Sequence, residues 1–241
     1  MSPSQPKVIA AIPCYNEGRF IGDVVREVRK YVDQVIVIDD GSQDDTSQSA
    51  RVAGALVVSH TGNKGYGEAI KSSFEAAKAN NAEIVVTMDG DNQHSPGDIL
   101  ALLAPILKGE ADLVIGSRFL KQTQKTNIPR YRRLGINIIT WLFNVGSKVK
   151  VSDAQSGLRA YSRKILDTIS LTEKGMGISV EVLIKARAKG FVIQEVPISC
   201  HYHPQSSTSN PLRHGLGVVL TLLKLRLRRR WRPLNGSTRY D

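Results

Sequence analysis

The chain is 241 residues long and 41% hydrophobic, enough apolar material for a sizeable core in one large α/β domain or two small ones. Its formal net charge of +11 is not spread evenly: six basic residues and no acid lie between Gly116 and Arg133, and eight basic residues face one acid from Pro211 to Asp241. The amino terminus, MSPSQPKV, has no apolar h-region and no twin arginine, and no apolar run approaches the ~20 residues of a membrane span, so the expectation is a cytosolic protein without a spanning helix. Cys14 and Cys200 form no CxxC pair, which argues for reduced thiols and against a cysteine metal site.

Val8 to Ile12 is a short apolar run ending in the turn-rich cluster Pro13-Cys14-Tyr15-Asn16-Glu17-Gly18. Ile21, Val24, Val25 and Val28 follow at helical spacing. A second run, Val35 to Ile38, ends at Asp39-Asp40-Gly41-Ser42, and Asp44 or Asp45 is placed to cap a helix near Thr46 to Val52. A third run, Ala55 to Val58, leads into the Gly-rich loop Gly62-Asn63-Lys64-Gly65-Tyr66-Gly67 and a helix from about Glu68 to Ala79. The fourth, Glu83 to Met88, precedes a helix with Pro96 in its first turn and a fifth strand at Asp112 to Ile115. Continuously apolar strands alternating with amphipathic helices predict a parallel sheet covered on both faces, with ligands at the carboxyl ends of the strands. The three motifs named so far, and a fourth after the fourth strand, DGDNQ, all follow strands and should share one rim.

The turn after the fourth strand, Asp89-Gly90-Asp91-Asn92-Gln93-His94, carries the most chemistry. If the strand continues, residues two apart point the same way, and Asp89, Asp91 and Gln93 converge. Two carboxylates and an amide suit a Mg or Mn ion that keeps waters and substrate phosphates in its shell. The same residues also read as a polar turn that simply ends a strand.

Further on, Leu134 to Val145 is a largely apolar segment with Trp141, Phe143 and a basic flank; it reads as a core helix or as a helix half-sunk in a membrane interface. Asp153-Ala154-Gln155-Ser156-Gly157 opens a strand near Leu158 to Tyr161, and a helix near Ile178 to Ala188 and a strand at Phe191 to Val196 complete the body. The apolar run Gly215 to Leu223, followed by Lys224 to Arg232, predicts an amphipathic basic helix on an anionic membrane surface. A solvated or RNA-binding tail is the alternative. Membrane is favoured over nucleic acid because the basic stretch adjoins apolar helix and no Gly/aromatic RNA-reading motif. This divides the chain into a domain at 1–210 and a tail at 211–241.

The ordered motifs IPCYNEG, VIDDGSQDDT, NKGYGEA, MDGDNQH and IGSR resemble glycosyltransferase family two over about residues 8 to 200. Gln93-His94 and the later SDAQSGLRAYSRK make the chain most similar to its dolichyl-phosphate or polyprenyl-phosphate sugar synthases. The resemblance implies a GT-A fold, Rossmann-like with a mostly parallel sheet. It implies transfer of a hexose, with inversion, from a GDP- or UDP-sugar to a polyprenyl phosphate, at the inner face of a membrane.

Carried over residue by residue, Pro13, Tyr15, Glu17 and Asp40 would line the nucleoside pocket, with Lys64 in the adjoining Gly-rich loop. Asp89, Gly90 and Asp91 would face the diphosphate, and Asp91 with Gln93 and Asp89 would hold Mg or Mn. Arg118, with Arg130 or Arg133, would meet the acceptor phosphate. The chain departs from its relatives at His201-Tyr202-His203, where they carry Arg and Lys; these histidines either contact the diphosphate or metal, or lie in a solvated loop.

A phosphate acceptor, with second pKa near ~6, needs no general base. No ED-type base or QxxRW segment of the hydroxyl-directed members occurs, and Glu181 is the remaining candidate if the acceptor is a sugar hydroxyl. A NAD-dependent oxidoreductase would need GxGxxG after the first strand, where PCYNEG stands, and a nucleotidyltransferase would need a Gly-rich basic signature there. A nucleic-acid-binding module explains the charge but leaves the acidic turn idle.

Overall fold

A computed structural model describes residues 6–120, 128–147, 149–201 and 217–225. β1 (Val8–Cys14), α1 (Gly18–Val28), β2 (Gln34–Asp39), α2 (Thr46–Val52), β3 (Leu56–Ser59), α3 (Tyr66–Ala79), β4 (Ile84–Thr87), α4 (Ile99–Leu107) and β5 (Leu113–Ser117) alternate as the sequence predicts. Beyond them come α5 (Arg130–Asn144), β6 (Arg159–Ser162), α6 (Arg163–Thr168), α7 (Ile178–Ala188) and β7 (Ile193–Pro197). Among the described residues these strands form one seven-stranded sheet, ordered β3-β2-β1-β4-β6-β5-β7. β6 alone runs antiparallel, paired on one side with β4 and on the other with β5.

The sheet is apolar on both faces, as continuous apolar strands require. Along β1, Ala10 and Ile12 join the layer of α1 and α4, while Ile9 and Ala11 join the layer of α3, α5, α6 and α7. The second layer also takes in Val218 and Leu222 of the helix 217–225, which are 1% and 3% exposed. One face of the apolar tail segment is therefore spent on the body, and Leu220 and Leu223 face outward.

Two local expectations change. β4 ends at Thr87, so no strand runs through the acidic turn; the chain instead reverses with Asn92 at a φ of 60°. Pro96 opens a short 3-10 turn, Pro96–Asp98, and α4 starts only after it. Asp44 rather than Asp45 serves α2: its Oδ1 accepts from Thr46 N at 3.1 Å, and its Oδ2 accepts from Gly18 N at 2.9 Å, tying the starts of α1 and α2 together. No helix among the described residues is long and apolar enough to cross a membrane.

Candidate active site

The carboxyl ends of β1, β2 and β4 open onto one cleft of about 530 Å³, lined by Pro13, Tyr15, Glu17, Asp40, Asp89, Gly90, Asp91, Gln93 and Arg118. Four separate motifs thus meet in one place. Asp89, Asp91 and Gln93 converge through the turn's own bonds and not through a pleat: Asp91 Oδ1 accepts from Gln93 N at 3.2 Å, and the Gln93 amide also donates to Asp91 Oδ2. Asn92, left-handed between them, is what lets the turn close.

The two carboxylates are unequal. Burial and the charge of Asp89 raise the pKa of Asp91. Burial works the same way on Asp89, but the hydrogen bond and charge of His94, with Arg118 and the Tyr66 hydroxyl, outweigh it and hold Asp89 below the ordinary value. His94 Nε2 stands 3.5 Å from Asp89 Oδ2. Two carboxylates and an amide that share one cleft, one of them disfavoured as an anion by its neighbour, fit a divalent cation with oxygen ligands. Among the described residues no three His, Cys, Asp or Glu side chains gather as a closed metal cage. A Mg or Mn site that also uses substrate phosphate does not need one.

Across the cleft, Glu17 is driven to a pKa of about 7, first by burial and then by the charges of Asp91 and Asp89. Cys14 also lines the cleft, and burial followed by four nearby carboxylates pushes its thiol well up, so it is no nucleophile. Asp40 is nearly saturated by the protein: Oδ1 accepts from Lys64 N at 2.8 Å and bonds His60 Nδ1 at 2.7 Å, and Oδ2 accepts from Gly65 N at 2.8 Å. His60 Nε2 in turn lies 2.9 Å from Ser72 Oγ on α3. Lys64 therefore contributes its backbone; Asn63 and Gly65, its neighbours, line the cleft.

Arg118, at the end of β5, lines the cleft but is bound to Asp153, with Nε at 2.7 Å and Nη2 at 2.9 Å from the two carboxylate oxygens. Of the basic residues that open α5, Arg132 lines the cleft, whereas Arg130 and Arg133 are exposed and Arg133 stacks 5.8 Å over Phe119. Of the three arginines that open α5, it is thus Arg132, and neither Arg130 nor Arg133, that shares the cleft lining with Arg118.

Glu181 is not poised as a base. It is fully buried and accepts from Thr172 N, Thr172 Oγ1, Glu173 N and Lys185 Nζ, at 2.5 to 3.1 Å. Burial opposes its charge, but the bonds from Lys185 and Thr172 prevail and lower its pKa. His201 reaches the acidic turn only by its backbone, donating to Gln93 O at 2.8 Å, and its side chain is exposed; His203 lies outside the described residues. Cleft residues that sequence reasoning passed over are Tyr66, Gln155, Arg132 and Met176. The first two sit inside the NKGYGEA and SDAQSG strings and were there to be read. Met176 carries no local signal.

The family profile described as Glycosyl transferase family 2 matches residues 9–170, which takes in every cleft motif. The chain belongs to glycosyltransferase family 2. It is a family 2 enzyme with the GT-A fold. It is 31% identical, over 90% of its length and 94% of the relative's, to UDP-N-acetylglucosamine–dolichyl-phosphate N-acetylglucosaminyltransferase of Methanococcus voltae. It is also 31% identical to dolichyl-phosphate hexose transferase of Haloferax volcanii, over 90% of this chain and 93% of that one. Among solved structures it is similar to glucosyl-3-phosphoglycerate synthase of Mycobacterium tuberculosis in complex with Mn2+, UDP-glucose and phosphoglyceric acid, with a TM-score of 0.72, 25% identity, and coverage of 91% of this chain and 79% of that one.

Proposed function

We propose that this family 2 glycosyltransferase moves a hexose from a GDP- or UDP-sugar to the phosphate of a membrane polyprenol. One observation carries the reading. Arg132 lines the donor cleft from the first turn of α5, and the same helix exposes Tyr131, Leu134, Ile138 and Trp141 at spacings of three and four. An apolar stripe about 15 Å long thus starts beside a cation in the active site. That arrangement suits an acceptor with an anionic head and a lipid tail. Ile139 and Phe143 of this helix go to the core, as one reading of the sequence expects, and the opposite face, exposed among the described residues, is compatible with the other, a helix at a membrane interface. Seated on an anionic membrane, the stripe would present the cleft to lipid phosphates.

Pro13, Tyr15, Glu17 and Asp40 form the nucleoside wall in this reading. Asp40 keeps a single acceptor position on Oδ2 beyond its protein donors, suited to a ring N–H such as uracil N3–H or guanine N1–H. Asp91, with Gln93 and Asp89, would hold Mg or Mn, and a metal there would supply positive charge against that of a leaving diphosphate. Arg118 and Arg132 orient and partly neutralise the acceptor phosphate, which is already ionised at neutral pH. No side chain has to remove a proton from it, in keeping with the occupied state of Glu181. Residues 1–210 serve as the catalytic domain and 211–241 as a membrane-associating tail, with Leu220 and Leu223 on the outer face of its helix.

The names of the relatives support a phosphate-bearing acceptor, dolichyl phosphate in two and phosphoglyceric acid in the third. The test offers labelled GDP- and UDP-sugars with Mn2+ to three acceptors: polyprenyl phosphate, the free polyprenol and 3-phosphoglycerate. Product on the polyprenyl phosphate alone is expected. Preference for the free alcohol or for 3-phosphoglycerate would displace this reading.

A further inference from the structure

The helix 217–225 does not rest on an inert part of the body. Thr221 Oγ1 donates to Glu173 Oε2 at 3.1 Å, and Lys224 Nζ lies 3.0 Å from Glu173 Oε1. Gly177 lies so close to the helix that a Cβ there would overlap Thr221 Oγ1 and come within 2.8 Å of its Cβ. Val218 and Leu222 complete the seat in the core layer.

The other side of the same segment is the donor cleft. Gly67, in the Gly-rich loop that opens α3, donates to Lys174 O at 2.8 Å, and a side chain on Gly67 would strike the backbone of Glu173 and Lys174. Met176 lines the cleft itself. Asp40, which grips Lys64 N and Gly65 N, sets the opposite end of that loop. Residues 173–177 are thus a strip one chain thick, pressed between the tail helix and the loop that walls the donor pocket.

We propose that helix 217–225 is a positioning element of the donor pocket, acting through Glu173 and Gly177 on Lys174 O, Met176 and the loop at 65–67. Docking of the helix and affinity for the nucleotide sugar are then linked: displacing one loosens the other. The inference rests on the donor reading given above for what fills the pocket, but the link between helix and loop stands on the contacts alone.

The test is Gly177→Ala in the full chain, which wedges the helix off, with Thr221→Gly added to remove the atoms it strikes. Two quantities are read: the donor KM against kcat and acceptor KM, and the amide hydrogen exchange of Gly67. The wedge should raise donor KM and speed Gly67 exchange about tenfold each, the scale of one lost buried hydrogen bond, with kcat and acceptor KM little changed. The double variant, relieved of the clash but without the Thr221 Oγ1 bond to Glu173, should recover most of both shifts and stop short of wild type. Should the wedge fail to fold, Lys224→Ala/Thr221→Val, which leaves the body untouched, should move both readouts the same way by a smaller factor. Wild-type values in the folded variants, or no recovery in the double variant, would overturn the proposal. If the wild type binds neither UDP nor GDP in the presence of Mn2+, the donor reading is lost; Gly67 exchange still decides the link, supporting it if the wedge speeds exchange and ending it if not.

Discussion

Asp153 grips Arg118 with both carboxylate oxygens, and its side chain is entirely buried while that of Arg118 is 9% exposed. The pair joins the end of β5 to the SDAQSG loop, which otherwise reaches the cleft only at Gln155. Burial opposes the Asp153 charge, but Arg118 more than offsets it and lowers the pKa from 3.8. Asp153→Ala should cost about 3 to 5 kcal/mol of stability by leaving a cation without its buried partner. The sign in pH follows: the pair's contribution is complete above the unfolded value near 3.8 and fades as pH falls through the lower folded one. Urea titrations between pH 6 and pH 2 on wild type and Asp153→Asn read this directly; equal acid sensitivity would contradict it.

Glu17 offers a functional pH dependence. With its pKa near 7, it is neutral below that point and adds a negative charge to the cleft beside Asp91 and Asp89 above it. Nucleotide-sugar affinity measured in EDTA should therefore strengthen as pH falls through 7, since the donor diphosphate has no group that titrates there. Glu17→Gln should flatten the curve at its low-pH level. Calorimetry from pH 5.5 to pH 8.5 checks both halves.

His60 holds Asp40 from behind the pocket wall. Replacing it with Leu leaves a buried carboxylate one donor short, at a cost of about 1 to 3 kcal/mol. The loss should appear in UDP or GDP binding, because Asp40 also fixes Lys64 N and Gly65 N. An unchanged dissociation constant for His60→Leu would show that the two backbone donors suffice.

At Gly157 the backbone passes against Asp89, held there by Thr87 Oγ1 donating to Gly157 O at 2.9 Å. A Cβ on residue 157 would overlap the Asp89 carboxylate. Gly157→Ala should fold and bind polyprenyl phosphate, yet lose roughly 100-fold in kcat/KM, because the carboxylate is shifted by about an ångström. Far-ultraviolet circular dichroism with initial rates separates misplacement from misfolding.

On α5, Leu134→Ser/Trp141→Ser should reduce sedimentation with anionic liposomes while leaving activity on a short-chain, water-soluble prenyl phosphate near wild type. Both residues are more than 60% exposed, so folding should be little affected. Undiminished liposome binding would move the membrane contact to the tail at 211–241.

Much of this enzyme can be read from local chemistry. Apolar runs with no alternation announce strands buried on both faces, helical spacing from Ile21 to Val28 announces a helix beside them, and polar clusters at each strand end announce a shared rim. These are properties of neighbouring residues, so a linear string holds them: the spacing of Asp89, Asp91 and Gln93 singles them out as candidates, whereas Asp40 is picked out by the family resemblance. Tertiary structure decided what depends on residues far apart in the chain. Antiparallel β6 wedged between β4 and β5 brings Gly157 onto Asp89 and Asp153 onto Arg118, and nothing within either segment specifies that pairing. Which arginine of the Arg130-Tyr131-Arg132-Arg133 run enters the cleft is set by how α5 rolls to bury Ile139 and Phe143. Glu181 reads as an available carboxylate until four donors from Thr172, Glu173 and Lys185 converge on it. Helix 217–225 reads as a free apolar face until Val218 and Leu222 find the core. In each case the deciding energy is burial against a distant partner, which composition and spacing leave undetermined.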